Sequence, residues 1–344
     1  MIGWNDHWTR TLATVETQPG ALARIVEQHR DRVALHDGLA VFSATLHPSL
    51  HQQLQDAGEG LSVGDWIIVD RDNDPPLVMH MLPRACLLER GRGDGTRQRI
   101  VANVDCALLL MGLDGDYSPN RLERYLLLVR SAGVMPVVLL TKPDRCDDIE
   151  ARCAEIQRIA GSSPVHTLDA RQGDAAAALA PYLSPGQTLV MLGSSGVGKS
   201  TLMNALLGAA VQKTGATRAG DDTGRHTTTS RTLRVLPGGA CLIDTPGVRE
   251  LQLAGSEEVV DQHGFDEIRR LAEQCRFSDC QHESEPGCAV VAQLSPERLH
   301  NYHKLRRELA LPQRSPLEVA ARKQKDRVIH KEQRRFERDH DKRR

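Results

Sequence analysis

Aromatic residues are scarce: Phe, Trp and Tyr make up 3% of the 344 residues. So few rings argue against a protein that reads single-stranded RNA by stacking many bases. A dominant charge is also missing. Lys and Arg number 44 and Asp and Glu 45, a net charge of −1, so any nucleic-acid surface has to be a local patch. No apolar run approaches the roughly 20 residues of a membrane span. The first residues, MIGWNDHWTRTLATVETQ, lack the apolar stretch of a secretory leader. A cytoplasmic protein without membrane contact is expected. The eight cysteines do not form a disulfide framework. Cys86, Cys106, Cys146, Cys153 and Cys241 are scattered, and three more crowd between 275 and 288, which fits a reducing compartment and one metal site.

What is present reads as globular: 40% hydrophobic and 26% charged residues, enough chain for two or three domains. Residues 1–20 read as a polar arm. From Leu22 to Met81 come short apolar runs broken by turn signals (LARIVEQ, RVALHDG, LAVFSATL, GDWIIVD, PLVMHML), the pattern of a small all-β barrel. GRGDG at 91–95 reads as a linker. The pattern then changes. Val104–Met111 and Val134–Leu140 are continuous apolar runs, as in strands buried on both faces. Between them a helix opens at Pro119, with Leu122, Tyr125, Leu126 and Val129 on one stripe. Further helices are expected at Asp147–Ile159 and Asp174–Tyr182, and strands at Val165–Leu168, Thr188–Leu192, Thr232–Leu236 and Ala240–Asp244. Alternating strands and helices predict a parallel sheet covered on both faces.

Gly193-Ser-Ser-Gly-Val-Gly-Lys-Ser200 matches G-x-x-x-x-G-K-[ST], after an apolar run and before a helical one. Glycines let backbone N–H groups curl around phosphate oxygens, and the helix N-terminus adds positive potential. The candidate phosphate-contacting set is Gly193, Ser194, Ser195, Gly196, Val197, Gly198, Lys199, Ser200 and Thr201. Lys199 is expected on the β- and γ-phosphates and Ser200 on Mg²⁺. Asp244-Thr-Pro-Gly247 closes an apolar run 45 residues after Lys199. Asp244 can hold Mg²⁺ through water, and the Gly247 N–H can sense the γ-phosphate.

Thr141-Lys-Pro-Asp144 closes another apolar run. The Asp144 carboxylate can accept from guanine N1–H and the 2-amino group together, whereas adenine would leave it unpaired. Lys142 is expected to pack its stem over the base. Thr141 stands where such loops usually begin with Asn and, being shorter, is expected to weaken one loop-bracing bond. Leu168-Asp169-Ala170 follows the next strand, where GTPases usually carry Ser-Ala with a backbone N–H facing guanine O6. Asp169 departs from that pattern.

The guanine loop thus precedes the phosphate loop, the reverse of the ordinary order. A parallel sheet can be cut and rejoined at surface loops if its termini lie close together. The resulting circular permutation leads switch II straight into the C-terminal segment. Switch I reads Thr223-Gly-Arg-His-Thr-Thr-Thr229. Thr228 is the candidate for Mg²⁺ and the γ-phosphate, with Thr227 and Thr229 as alternatives. His226 is either the group that positions water or a solvated loop histidine. Arg225 is an internal arginine finger or a salt-bridged surface residue. Val248 occupies the place of the usual water-orienting Gln, so slow intrinsic turnover is expected. Gly196 stands where potassium-using GTPases place Asn.

Cys275-x₄-Cys280-x-His282-x₅-Cys288 provides three thiolates and one imidazole within 14 residues. Four protein ligands make a closed, structural Zn²⁺ site. His263, His300 and His303 are alternative imidazoles at poorer spacing. Arg276, Phe277, His300, Lys304, Arg306 and Arg307 surround the cluster, either as RNA contacts or as a solvated face. From Ser315 the chain carries 11 Lys and Arg against six Asp and Glu. That excess reads as an arm along RNA or as a solvated helix, ordered only on binding.

The order TKPD, GSSGVGKS, GRHTTT, DTPGVRE and then CRFSDCQHESEPGCAV resembles the RsgA (YjeQ) family across roughly 25–310. GDWIIVD also looks like that family's N-terminal OB-fold. The resemblance implies an OB domain, a circularly permuted GTPase and a zinc-binding domain. It also implies GTP hydrolysis stimulated by the small ribosomal subunit and a late checkpoint of decoding-site assembly. The family's proposed catalytic histidine corresponds to His226.

The expected organisation is 1–95 arm and barrel, 96–255 permuted GTPase, 256–312 zinc-binding helical domain and 313–344 basic tail. The expected cofactors are one structural Zn²⁺ and Mg²⁺ with GTP. The partners are GTP and GDP, the small ribosomal subunit and its rRNA, and the chain is expected to be a monomer. His226, Lys199 and Thr228 are the candidate catalytic residues. Two other readings stand beside the GTPase: a nucleotide-sensing RNA-binding scaffold with negligible hydrolysis, and a P-loop ATPase.

Overall fold

The computed structural model describes residues 2–15, 20–29, 31–92, 96–172, 175–208, 231–247 and 251–310. His226, Thr228, Val248 and the basic tail lie outside these residues.

The N-terminal segment is not the polar arm its composition predicts. Helix α1 (Asp6–Thr14) is capped by Asn5, whose side chain accepts from the backbone N–H groups of His7 and Trp8. Trp8 is 4% exposed, and Trp4 meets Trp66 edge-on at 4.8 Å between ring centroids. All three tryptophans of the chain therefore gather at this end. Their buried area outweighs the polar residues around them.

Strands β1 (Ala21–Gln28), β2 (Val33–His36) and β3 (Val41–Leu46) form an antiparallel meander. Helix α2 (Pro48–Asp56) crosses to β4 (Trp66–Asp70) and β5 (Leu77–Met81). β1 pairs with β4, β4 with β5, and β3 runs parallel to β5, which closes a five-stranded OB-like barrel. The closure follows side-chain period. Val33 and Leu35 point inward while Ala34 and His36 are only half-buried. The segment read as a linker is flanked by β6 (Leu87–Gly91) and β7 (Arg97–Ala102), which pair with each other as an antiparallel hairpin.

The second layer system begins with β8 (Cys106–Gly112), α3 (Pro119–Ser131), β9 (Met135–Thr141), α4 (Ile149–Ala160) and β10 (Val165–Leu168). It continues with α5 (Ala175–Leu179), β11 (Thr188–Gly193), α6 (Lys199–Leu207), β12 (Thr232–Val235) and β13 (Cys241–Asp244). The strand order is β10-β9-β8-β11-β13-β12, parallel except for β12. Every residue of β8 and β11 is buried. Alternate side chains serve two cores: Ala107, Leu109 and Met111 share one with Leu122 and Leu126 of α3, while Leu108 and Leu110 share the other with Leu202 and Met203 of α6. That double burial is why these strands read as unbroken apolar runs.

Helices α7 (Glu258–His263), α8 (Asp266–Ala272), α9 (Ala289–Gln293) and α10 (Pro296–Ala310) follow. α10 docks on α3. Arg298 and Asn301 both contact Glu123, and Arg124 pairs with Glu308 at 2.6 Å.

The barrel and the parallel sheet are continuous through a β1–β12 pairing at Glu27 and Thr232. A fully buried arginine fastens this junction. Arg24 donates to the carbonyls of Gly64 (3.1 Å), Ile2 (3.3 Å) and Asn103 (2.8 Å), and to Thr188 Oγ1 at 2.8 Å. Thr188 begins the strand that ends in the phosphate loop. Burial pulls the Arg24 pKa down, and Asp105 and Asp65 oppose that pull. Removing the side chain strips hydrogen bonds from buried carbonyls and takes away one of the charges that hold the Asp105 pKa down. Arg24→Ala is expected to destabilise the protein by about 3–5 kcal/mol, read as a lower denaturant midpoint. An unchanged midpoint would contradict this role.

Candidate active site and cysteine cluster

Parallel pairing brings the motif-bearing loops to one sheet edge. Gly112 of β8 faces Thr141 of β9, which faces Leu168 of β10. Gly193 of β11 faces Leu110 of β8. The loops after β8, β9, β10, β11 and β13 therefore all leave at the C-terminal ends of their strands, where open α/β sheets bind ligands.

The phosphate loop needs its glycines. Gly193, Gly196 and Gly198 have φ of 158°, 78° and 111°, values that side-chain-bearing residues rarely adopt. A Cβ on Gly193 would also lie 2.7 Å from the Leu110 carbonyl oxygen. Lys199 opens α6 and is 7% exposed. Its Nζ donates to the carbonyls of Gly193 (2.9 Å) and Ser194 (2.7 Å), arching the loop. Burial lowers its pKa to about 8, against the pull of Asp244 and Asp116. Ser195 and Gly196 are exposed, Val197 is packed in the core, and Ser200 and Thr201 are half-buried in the first turn of α6.

Asp244 is fully buried at the end of β13. Thr245 donates to the Met191 carbonyl at 2.7 Å, which ties this strand end to β11. Gly247 then passes so near the phosphate loop that a Cβ there would stand 2.6 Å from Ser195 N. No larger residue fits without moving one of the two backbones.

The guanine loop is joined to the same structure. Thr141 Oγ1 donates to the Val197 carbonyl at 2.7 Å. Its short hydroxyl, where such loops usually carry Asn, reaches the phosphate-loop backbone directly. Lys142 adopts φ +57°, and its Nζ pairs with Asp114 at 2.7 Å. Asp144 lies 2.9 Å from Arg171. Asp169 is nearly buried. Its carboxylate accepts from Arg171 and Gln172, so its side chain is engaged within its own loop. Ala170 follows it, half-buried.

Three participants escape sequence reading: Asp114, Asp116 and Arg171. Asp116 Oδ2 accepts from Ser194 Oγ at 2.5 Å and pairs with Arg121 at 2.8 Å. The available signal was the LDGD segment at the end of a strand adjoining the phosphate-loop strand.

Cys275, Cys280, His282 and Cys288 come together with all ligand atoms within 4.8 Å of one another. The Sγ atoms of Cys275 and Cys288 are 3.8 Å apart, and His282 Nδ1 lies 3.7 and 3.5 Å from them. Two thiolates about 2.3 Å from one Zn²⁺ at the tetrahedral angle stand about 3.8 Å apart. The donor set therefore fits a tetrahedral ion. Cys288 also caps α9, its sulfur accepting from Val291 N at 3.4 Å. His303 contacts the His282 carbonyl at 3.0 Å and supports the ligand loop without joining the set.

Strand order, an arched phosphate loop and a TKPD loop bonded to it define a P-loop GTPase domain of circularly permuted chain order. The sequence profile described as RsgA GTPase matches residues 81–254. A protein of Xylella fastidiosa (strain 9a5c) named small ribosomal subunit biogenesis GTPase RsgA is 45% identical over 83% of this chain and 85% of its own. A protein of that name from Xanthomonas axonopodis pv. citri (strain 306) is 44% identical over 87% of this chain and 84% of its own. The crystal structure of YjeQ from Thermotoga maritima superposes with a TM-score of 0.62 at 25% identity, covering 85% of this chain and 99% of that one. YloQ, a circularly permuted GTPase, shares the fold with a TM-score of 0.58 at 22% identity, over 86% and 96% of the two chains. The chain belongs to the RsgA GTPase family. It is a hydrolase of GTP, and the family implies Mg²⁺ with the nucleotide. None of the helices among the described residues is long and apolar enough to cross a membrane.

Thr141→Val keeps the shape and removes the hydroxyl, leaving the Val197 carbonyl without this donor. Nucleotide affinity is expected to fall about fivefold, measured by GDP titration. Wild-type affinity would show that the bond does not brace the loop.

Proposed function

We propose that this GTPase acts on the small ribosomal subunit during its late maturation, with hydrolysis timing its release. The observation that carries this reading is the hydrogen bond between the guanine loop and the phosphate loop at one sheet edge, in a chain whose relatives are named for small-subunit biogenesis.

In the proposed site the 193–201 loop wraps the phosphates, with Lys199 on the β- and γ-oxygens. Ser200, Asp244 and Thr228 would hold Mg²⁺. Mg²⁺ supplies neutralisation of the charge that develops on the β–γ bridge. Gly247 N–H faces the γ-phosphate. His226 positions the attacking water, since Val248 cannot. Asp144 accepts from the guanine edge, Lys142 covers the base, and the Ala170 N–H faces O6. Asp169 serves as the anchor of that loop.

Zn²⁺ is the ion proposed for the Cys₃His cluster, where it ties the ligand loop to α9. The proposed division of labour is 1–95 barrel, 96–255 GTPase, 256–312 zinc domain and 313–344 rRNA-binding tail, in a cytoplasmic monomer. Arg306 pairs with Glu257 at 3.1 Å and Asp261 at 3.7 Å, so rRNA contact by α10 falls to other residues of its face, His300, Lys304 and Arg307. The permutation gives the switch a short lever. The residues after DTPG are clamped at Leu251 by Arg124 (3.1 Å) and at Leu253 by Glu308 of α10 (3.2 Å).

GTP turnover titrated with purified small subunits tests the reading. Stimulation is expected, and a flat rate with tight binding would favour a scaffold instead. Lys199→Ala and Ser200→Ala are expected to abolish turnover; wild-type rates in both would refute the assignment. Because Lys199 sits at about 8 before nucleotide arrives and polyphosphate raises it, binding above pH 8 must take up a proton. GDP affinity is therefore expected to fall as pH rises past 8 and to level off below about 7. Calorimetry in two buffers of different ionisation enthalpy reads the uptake. Metal analysis is expected to find one Zn²⁺ per chain.

A further inference from the structure

Asp144 does not stand alone at the base end of the site. Its Oδ1 lies 2.9 Å from Arg171 Nη2, a residue of the loop after β10. Asp169 grips the same guanidinium along its Nε–Nη2 edge. Nε donates to Asp169 Oδ1 at 2.8 Å and Nη2 to Asp169 Oδ2 at 2.7 Å. Asp169 is itself held, its side chain only 9% exposed, and it accepts from Arg171 N at 3.0 Å and Gln172 Nε2 at 3.2 Å. The Arg171 hydrogen bonds lower the Asp169 carboxyl to about 2, so it stays ionised.

A two-point fork fixes the plane of a guanidinium as well as its position. Arg171 is 60% exposed, and a long side chain at that exposure ordinarily samples many rotamers. The fork removes that freedom and leaves the second Nη2 hydrogen to reach Asp144. A carboxylate has about four acceptor sites. Arg171 takes one on Oδ1 and Arg145 Nε stands 3.5 Å from Oδ2, which still leaves each oxygen a site to accept from N1–H and the 2-amino group of guanine. Ordering the carboxylate before the base arrives lowers the entropy lost on binding.

We propose that Arg171, anchored by Asp169, is a positioning residue that presets the Asp144 carboxylate for the guanine edge. The proposal rests on the reading of Asp144 as the guanine acceptor. It also explains an acid at position 169, where Ser is usual: a serine cannot grip the fork.

The test uses the full-length protein and three nucleotides, GDP, IDP and XDP, with affinities from equilibrium titration. IDP lacks the 2-amino group and offers Asp144 one N–H, so it depends less on the carboxylate's orientation. Arg171→Gln and Asp169→Asn are each expected to weaken GDP about three- to fivefold and IDP by less, so the GDP:IDP ratio falls. Arg171→Lys, which keeps charge without the fork, is expected to restore only part of the ratio. An unchanged ratio in Arg171→Gln, or tighter GDP binding there, overturns the proposal; the second result would make Arg171 a competitor of the base. Asp144→Asn separates the two levels. A shift of preference from GDP to XDP supports the guanine reading, so a silent Arg171→Gln beside it sinks the positioning role alone. No shift sinks both.

Discussion

The nucleotide site depends on the parallel pairing of β8 with both β9 and β11. Register places Thr141 opposite Gly112, and Gly193 opposite Leu110. Only then can the Thr141 hydroxyl meet the Val197 carbonyl at 2.7 Å. Hydrogen-bonded neighbours in a sheet are set by space and not by chain order. The base loop and the phosphate loop consequently meet although TKPD comes first along the chain. The apolar runs that enforce this register are buried on both faces, and a slip by one residue would exchange the side chains facing α3 with those facing α6.

Permutation changes what is attached to the site more than the site itself. In this chain the strand that ends in DTPG leads to a short segment pinned by Gly91 of β6, Arg124 of α3 and Glu308 of α10. On its other side the sheet runs into the OB-like barrel through β1 and β12, with Arg24 buried beneath Thr188. The GTPase domain is thus contacted by both flanking parts of the chain near elements that carry its motifs. Such an arrangement suits a protein whose nucleotide state is read by surfaces far from the phosphates.

Much of this was legible in the sequence, and the failures have physical reasons. Strands buried on both faces appear as unbroken apolar runs, and the glycine-rich loop and the cysteine cluster have spacing tied to chemistry. The β6–β7 hairpin was missed because LLERG and RQRIVA place Arg and Glu at mostly half-buried positions and the sequence between them reads as a linker. The N-terminal helix was missed because two tryptophans among polar neighbours have no period, and their value lies in a third tryptophan some sixty residues on. The roles of Asp114, Asp116 and Arg171 were hidden for another reason. Each acts on a residue from a different loop, and those pairings exist only once strand register is known. Thr141 has a partner that its type alone did not announce, the Val197 carbonyl at 2.7 Å.

The most direct test is an experimental structure of the protein with GDP and Mg²⁺. One guanine should lie between Lys142 and Ala170 with its N1–H and 2-amino group on Asp144, and the β-phosphate of the same molecule should rest on Lys199. A base bound elsewhere, with its phosphates still in the 193–201 loop, would contradict the shared pocket.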